Sequence, residues 1–569
     1  MRVIVLAKIV LRTSVSLALL ALMVICGHYL WGLGPSKVPV EPAPSLPKPV
    51  QTARVPADVV IKISLVGDVL IGTEFRFPYE HYLEDVLQRV DGDYGYFFAN
   101  VAPIFAADDL TVANLENPLT TATRREEKFD YGRNFWFKGR PEYAQILAAG
   151  HVDVVNLANN HAYDYGVEGY LDTKAALDRH GIGYFGYEDV YETEIKGVRI
   201  GMAGFNEFGA FEQGVDLEEL KTEIRNKVQW LKGRNDLVLV YFHWGREYSY
   251  EPTERQRALA YAAVDAGADL VAGSHPHVIQ GVERYRDRYI VYSLGNFCYA
   301  GHKNPEDKDT FIYQQEIVFS GVDRSLKEFR EPYYLPCYIS STRERNNFQP
   351  TPAKGKDIVR ILQKINELSD YKLAEETIRE QGKARLVKLQ EYIPNLVIDL
   401  RYASSHNIVG KPLYEPEYEA LLRLETAQKL KRASDLFNEQ GLRLKLWDGY
   451  RPASVQLQLW ENAEDKTYFA HPAKGSKHTR GCAVDVTLTD WEGNELDMPS
   501  DFDDMTEKAT RSYRQATPAQ KQNAQLLERV MQEAGFRSIQ LEWWHFEDTD
   551  WELFDLIEDG DYVIVTEPY

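Results

Sequence analysis

An α/β domain followed by an α+β domain, behind a membrane-spanning helix, is the fold class that three features of the sequence predict. From about Val59, apolar strand-like runs alternate with helical stretches (IKISLVGD, VDVVNLANN, YLDTKAALDRHG, DLVLVYFHWG, ERQRALAYAAVDAG, ADLVAGSHPH, YIVYSLGNF), the order of an α/β sheet. After Tyr392 strands and helices continue without strict alternation, as in an α+β domain of 180 residues, 390–569. At the N-terminus, Arg2, Lys8 and Arg12 precede an apolar run at 13–33 (TSVSLALLALMVICGHYLWGL). At about 1.5 Å per residue such a run spans a hydrocarbon layer of roughly 30 Å.

The elements follow in order. Residues 1–34 form a short basic tip and the anchor. The basic residues on the N-terminal side place that end inside and both domains outside, in a single-pass membrane protein. No small-x-small site follows the run, so an uncleaved anchor is expected over a signal peptide. Residues 35–58, opening with PSKVPVEPAPSLPKP, form a proline-rich, extended spacer. The α/β domain occupies 59–348, and 349–389 reads as its last helix followed by a charged helical connector. In the second domain, TAQKLKRASDLFNEQG reads as a helix ended by Gly441, LRLKLWDGYRP as a strand running into a turn, and Pro452 as the start of the next helix.

The chain has 569 residues, 44% of them hydrophobic, which suits two cored domains. A formal charge of −21 argues against nucleic acid as a partner, because phosphate binding needs basic patches. Four cysteines without a Cys-x-x-Cys pair argue against a thiolate zinc cluster and a dense disulfide framework; Cys298 and Cys337 admit one bridge in an exported domain, which separation alone does not decide.

Chemistry-bearing residues gather in two groups. In the second domain, Ser476 to Asp485 (SKHTRGCAVD) places His478 and Asp485 seven residues apart, and LEWWHF places Glu542 and His545 three apart. Two imidazoles and one carboxylate (His478, Asp485, His545) are a ligand set for one Zn²⁺ with an open fourth position, whose water has its pKa lowered toward ~7. Glu542 is then free to move protons. Arg451 in DGYRP is the candidate donor to a developing oxyanion, with an ion pair to Asp448 as the alternative. Ser476 is a candidate substrate hydrogen-bonder, and Asp503 a candidate partner for a free ammonium. In a regular strand Glu542 and His545 would point to opposite faces, so an irregular strand end is expected at Trp544. Trp543 and Trp544 read as core.

In the first domain the polar residues stand at strand ends, where ligands of α/β sheets gather. They are Asp68, Glu116, Asn160 with His161, His243, and His275 with His277. Carboxylate and amide oxygens with several imidazoles suit two divalent metals (Mn, Fe or Zn), an arrangement that positions water for attack on a phosphate ester.

Both groups carry a resemblance. Gly67-Asp68, Asn114–Glu116 (NLE), Asn159–Gly166 (NNHAYDYG), His243–Gly245 (HWG), Ser274–His277 (SHPH) and Ser293–Phe297 (SLGNF) resemble the capsule and poly-γ-glutamate synthesis proteins of the calcineurin-like metallophosphoesterase superfamily, over roughly 62–297. The resemblance implies a metallophosphoesterase-like sandwich in which Asp68, Glu116, Asn160, His243, His275 and His277 are metal ligands. It also implies that His161 approaches the substrate. The superfamily's Asp-x-His opening is absent, since Val69 and Leu70 follow Asp68, so one metal position lacks its usual imidazole. Further on, DLRYASSHNIVGKPLY, LWDGYRP, SKHTRGCAVDVTL, DFDDM and LEWWHF are similar to the zinc D-alanyl-D-alanine dipeptidases of the vancomycin-resistance type, over roughly 392–554. That resemblance implies Arg451 as transition-state stabiliser, Glu542 as acid/base, and Ser476 and Asp503 as dipeptide-holding residues. It implies hydrolysis of D-Ala-D-Ala or a wall-derived peptide. The alternatives are a D,D- or L,D-carboxypeptidase trimming longer wall peptides, or a handler of polyglutamate or capsule polymer with an auxiliary peptidase.

Overall fold

The computed structural model describes residues 57–566, apart from 75, 78–82, 129–133, 210–213, 464 and 473. The expected anchor at 1–34 and nearly all of the spacer at 35–58 lie outside the described residues. Among the described residues no helix is long and apolar enough to cross a membrane.

In the first domain two sheets lie face to face. Val59–Leu70, Leu110–Leu115 and Val154–Asn156 run parallel in a nine-stranded sheet. Val198–Asn206, Leu237–His243, Leu270–Ser274 and Arg288–Leu294 run parallel in a six-stranded one. The side-chain period of two assigns each strand's residues to layers. Ile61, Ile63 and Leu65 meet Leu237, Leu239 and Tyr241 in a core between the sheets. The alternate residues Val238, Val240 and Phe242 pack outward with Leu220, Ile224 and Leu259 of the helices Leu217–Lys232 and Glu254–Ala266. On the other sheet Ala113, Leu115 and Val155 pack outward with Leu147 and Ala176. The result is an α/β/β/α sandwich. Strands buried on both faces read as continuous apolar runs, which is why they stand out in the sequence.

Parallel strands place their carboxyl ends along one edge, and the backbone is tight there. A Cβ on Gly67 would lie 1.8 Å from Gly295 O. Only glycine lets the Ser293–Phe297 segment pass close enough for Asp68 N–H to donate to Gly295 O at 3.0 Å.

The stretch at 349–389 departs from expectation. Lys356–Leu368 is a helix whose Ile361, Leu362 and Ile365 enter the core between the sheets, and Glu375–Gly382 is a second helix that adds Ile378 to that core. Ala384–Lys388, expected to continue the helical connector, is instead a strand. It pairs with Leu421–Arg423 and Tyr562–Ile564, strands of the second domain. Five residues are too few for local periodicity to outweigh partners supplied from elsewhere in the chain.

The second domain is α+β as expected. A five-stranded sheet runs in the order Val397–Ile398, Arg443–Asp448, Ala483–Thr489, His545–Asp548, Phe536–Ser538. Leu424–Asn438 and Pro518–Glu533 pack on it through Leu430, Phe437, Leu527 and Met531. The first of these helices is followed by Gly441 at φ 75°, the expected stop. Cys298, Cys337 and Cys482 are free and buried, so the bridge between Cys298 and Cys337 is not formed.

Candidate metal centres

In the second domain three neighbouring strands bring the predicted group together. The ladder sets Asp485 opposite Asp448 on one side and His545 on the other. His478 reaches the same place from the turn before Ala483–Thr489. Ligand atoms of His478, Asp485 and His545 all lie within 4.8 Å of one another. His545 Nδ1 is 2.9 Å from Asp485 Oδ1 and 3.2 Å from His478 Nε2. His478 Nδ1 donates to Gly449 O at 2.8 Å, which fixes the tautomer and leaves Nε2 with its lone pair facing the group. The donor set therefore fits a zinc ion. Although burial pushes the Asp485 carboxyl up, the flanking His478 and His545 hold it well below the usual range, so it is an anionic ligand.

The lead-in to the last ligand resolves the expected conflict of faces. The strand begins only at His545, and Glu542 precedes it on irregular backbone, with a carboxylate oxygen 4.0 Å from His545 Nδ1. Burial raises the Glu542 pKa, and the negative Asp485 adds to this while His545 opposes it. Such a carboxyl sits closer to neutral pH, where a general base works best. Trp543 and Trp544 are fully buried, as expected for core.

Arg451 makes the ion pair of its alternative reading without leaving the cavity. Its Nε and Nη2 both donate to one oxygen of Asp448, Oδ2, at 2.9 and 2.6 Å, yet it also stands 3.8 Å from Asp485 and lines the same cavity as the three candidate ligands. Its guanidinium also covers the Tyr402 ring, 4.8 Å from the centroid. The cavity has a volume of about 180 Å³, and Ser476, Asp503 and Glu542 line it too. The Ser476 hydroxyl accepts from His478 N–H at 3.2 Å. Asp503 adopts φ 58° and accepts from Ile408 N–H at 3.0 Å, and burial pushes its carboxyl up to about 7. All seven predicted residues of this domain thus meet around one cavity.

Sequence reading missed Glu547. It lies two residues after His545 on the same strand, hence on the same face, and its carboxylate is 3.7 Å from His545 Nε2. Lys477 at 3.0 Å and Arg537 at 2.6 Å hold it there. The strand period was the signal that could have found it.

In the first domain six of the seven predicted residues cluster at the edge where the parallel strands end. His243 Nε2 lies 2.9 Å from Asn160 Oδ1, 3.1 Å from His275 Nδ1 and 3.5 Å from Glu116 Oε1. His277 lies 3.3 Å from Asp68 and 3.9 Å from Glu116. Two triads within ligand reach follow, Glu116–His243–His275 and Asp68–Glu116–His277, sharing Glu116. Asp68 is fixed by Asn114 Nδ2, which donates to Oδ1 at 2.8 Å, and by His275 N–H, which donates to Oδ2 at 3.2 Å.

The electrostatics of this cluster fit cations. Burial and the neighbouring Asp68 raise the Glu116 pKa well above normal, and Glu116 Oε2 is buried without a hydrogen-bond partner. Burial holds His243 and His275 well below the usual histidine range, so both are neutral, the ligand form. His275 at φ 96° and His277 at φ 59° occupy the left-handed region, a backbone strain that clusters where function requires it.

His161 stands beside the cluster, its Nδ1 2.8 Å from Asp164 Oδ2, with Lys128 2.7 Å from the other oxygen of that carboxylate. Asp164, three residues on in the NNHAYDYG motif, is a buried orienting partner that the sequence reading did not assign. Glu247 is a second omission: its carboxylate lies within ligand reach of His275 and His277.

Comparison with known proteins agrees with this division. A family described as bacterial capsule synthesis protein PGA_cap matches residues 62–300, and one described as D-ala-D-ala dipeptidase matches 382–560. The PGA biosynthesis protein CapA of Bacillus subtilis (strain 168) is 35% identical over 282 residues, covering 47% of this chain and 70% of that protein. The capsule biosynthesis protein CapA of Bacillus anthracis is 32% identical over 348 residues, covering 57% and 80%. The D-alanyl-D-alanine dipeptidase of Escherichia coli (strain K12) is 39% identical over 162 residues, covering 28% of this chain and 83% of that protein. The chain is a fusion that belongs to two families, the bacterial capsule synthesis proteins through its first domain and the D-alanyl-D-alanine dipeptidases through its second.

Proposed function

We propose that the second domain is a zinc-dependent peptidase that hydrolyses D-alanyl-D-alanine or a similar dipeptide released from the cell wall. The observation that carries this reading is the convergence of His478, Asp485, His545, Glu542 and Arg451 on one cavity of about 180 Å³. That volume is well below the roughly 300–1,000 Å³ of sites for drug-sized ligands, which favours a dipeptide over a long stem peptide.

His478, Asp485 and His545 would hold one Zn²⁺, which when bound supplies Lewis acidity to polarise the scissile carbonyl and acidify water. The protein's own groups do the rest. Glu542 takes the proton from the attacking water and delivers one to the departing amine. Arg451, immobilised by Asp448, donates to the oxygen on which negative charge develops. Asp503 pairs with the substrate's free ammonium, and Ser476 donates to its backbone.

For the first domain we propose a site for two divalent ions (Mn, Fe or Zn), one held by Asn160, Glu116, His243 and His275 and the other by Asp68, Glu116 and His277. Two such ions supply a clamp for attacking and leaving oxygens of a phosphate ester. His161, oriented by Asp164, faces the substrate there. The names of the Bacillus relatives support a role in handling polyglutamate or capsule polymer, with the peptidase as companion. The apolar run at 13–33 with its preceding basic residues supports a single-pass anchor and an extracytoplasmic place for both domains, where wall turnover products rather than cytoplasmic precursor would be met.

The decisive measurement for the second domain compares free D-Ala-D-Ala with an amino-terminally acetylated tripeptide. Turnover confined to the free dipeptide is expected. Efficient cleavage of the acetylated tripeptide would replace the dipeptidase reading with a carboxypeptidase.

A further inference from the structure

We infer that Glu247 is a further ligand of the first domain's metal centre, reaching it beside the His275–His277 pair and supplying a donor in place of the imidazole missing from the opening motif. The inference rests on the two-ion reading above and extends it to a residue outside the motifs quoted for the resemblance.

Donor counting points to a missing ligand. Asn160, Glu116, His243 and His275 surround one position with four protein donors. Asp68, Glu116 and His277 supply only three to the other, because Leu70 stands two residues after Asp68 where an imidazole would have served. The carboxylate of Glu247 lies within 4.8 Å of ligand atoms of both His275 and His277. It is exposed, so it stands on the open side of a cluster whose other members are buried or nearly so.

The loop that carries Glu247 is built rather than loose. Trp244 N–H donates to Ser274 O at 3.1 Å, and Tyr248 N–H donates to Pro276 O at 2.8 Å. These two bonds tie both ends of the loop to the segment that bears His275 and His277. Gly245 N–H donates to Glu207 Oε1 at 2.9 Å between them. Gly245 at φ 90° and Tyr248 at φ 60° are left-handed, and a Cβ on Gly245 would lie 2.6 Å from Gln256 Oε1. A tyrosine held at positive φ is costly, and it is retained where surrounding contacts over-determine the loop. The loop thus fixes the backbone of Glu247 against the histidine pair. Carboxylate oxygen is a suitable donor to Mn²⁺, Fe²⁺ or Zn²⁺ beside imidazole, so the exchange of imidazole for carboxylate keeps a workable ligand set while making the position one charge more negative.

The test is equilibrium dialysis of the full chain against Mn²⁺ followed by metal analysis, comparing wild type with Glu247→Gln. Glu251→Gln, a change at an exposed carboxylate near the same loop, serves as control. Because the second domain is unaltered, its metal cancels in the difference. The expected result is one fewer Mn²⁺ per chain in E247Q at a free concentration that fills the wild type, with affinity at that position lower by at least about tenfold. The control should match the wild type, and the thermal melting of E247Q should be unchanged because the side chain is exposed. Two ions bound by E247Q with wild-type affinity would overturn the inference while leaving the two-ion reading intact. A wild-type chain whose Asp68→Asn variant binds the same amount of Mn²⁺ would instead overturn the two-ion reading and the inference with it.

Discussion

In the first domain Asp68 and Glu116 lie buried beside three histidines, and Glu116 belongs to two triads of candidate ligands. In the second domain a single candidate ligand carboxylate, Asp485, is matched by two imidazoles, and among the other acids at the cavity Glu542 stands off the strand at 4.0 Å from His545. The contrast separates two ways of activating water. On the proposed reading, a cluster that shares Glu116 between two positions would hold two ions side by side and leave little for side chains to do chemically. On the same proposed reading, a site for one ion delegates proton transfer and oxyanion stabilisation to separate residues, Glu542 and Arg451, each with its own support.

The sharpest break in this comparison comes from Glu542→Gln. It should lower kcat for D-Ala-D-Ala by about 10³ or more, in the upper range for a general base, while zinc content stays at wild-type level. Normal turnover in that variant would mean that another group carries the proton. Arg451→Lys keeps a charge beside Asp448 but loses the fork, and it should cost roughly 10²-fold in kcat/KM in steady-state assays. Asp503→Asn should raise KM for the free dipeptide by roughly 10–100-fold, the worth of one charge-assisted hydrogen bond. The sign of its pH dependence follows from the raised carboxyl. Asp503 is neutral below about 7 and ionised above it, so KM should fall as pH rises from 6 to 8, and D503N should abolish that fall. Glu547→Gln should weaken zinc retention about tenfold in chelator competition, because Glu547 orients His545 rather than touching substrate. Asp68→Asn should leave dipeptide turnover unchanged while reducing metal bound by the first domain. A fall in dipeptide turnover would show that the two sites are coupled.

Much of the molecule was legible from local pattern. Strands buried on both faces and helices with apolar stripes follow from residue spacing, so the α/β and α+β classes and the helix stop near Gly441 could be read directly. Four of the residues around the second domain's cavity were legible as a set, because a histidine and an aspartate in SKHTRGCAVD and a glutamate and a histidine in LEWWHF have a shared chemistry, whereas Arg451 and Asp503 stand in separate motifs. Ala384–Lys388 was not legible: its strand partners lie at 421–423 and 562–564, and nothing local announces them. The capture of Arg451 by Asp448 was foreseen as an alternative to catalysis, and the folded chain forms that ion pair while keeping Arg451 at the cavity wall.

What the sequence by itself determined is the inventory: which donors exist, on which kind of element each stands, and that no imidazole stands two residues after Asp68. Which distant groups face each other was decided only by tertiary structure. The strand ladder sets Asp448, Asp485 and His545 side by side, the backbone starts its strand only after Glu542, and two hydrogen bonds to Ser274 and Pro276 carry Glu247 to the histidine pair. The physical reason is range. Propensity and periodicity act over a few residues, whereas metal coordination needs donors within a few ångströms regardless of their distance along the chain.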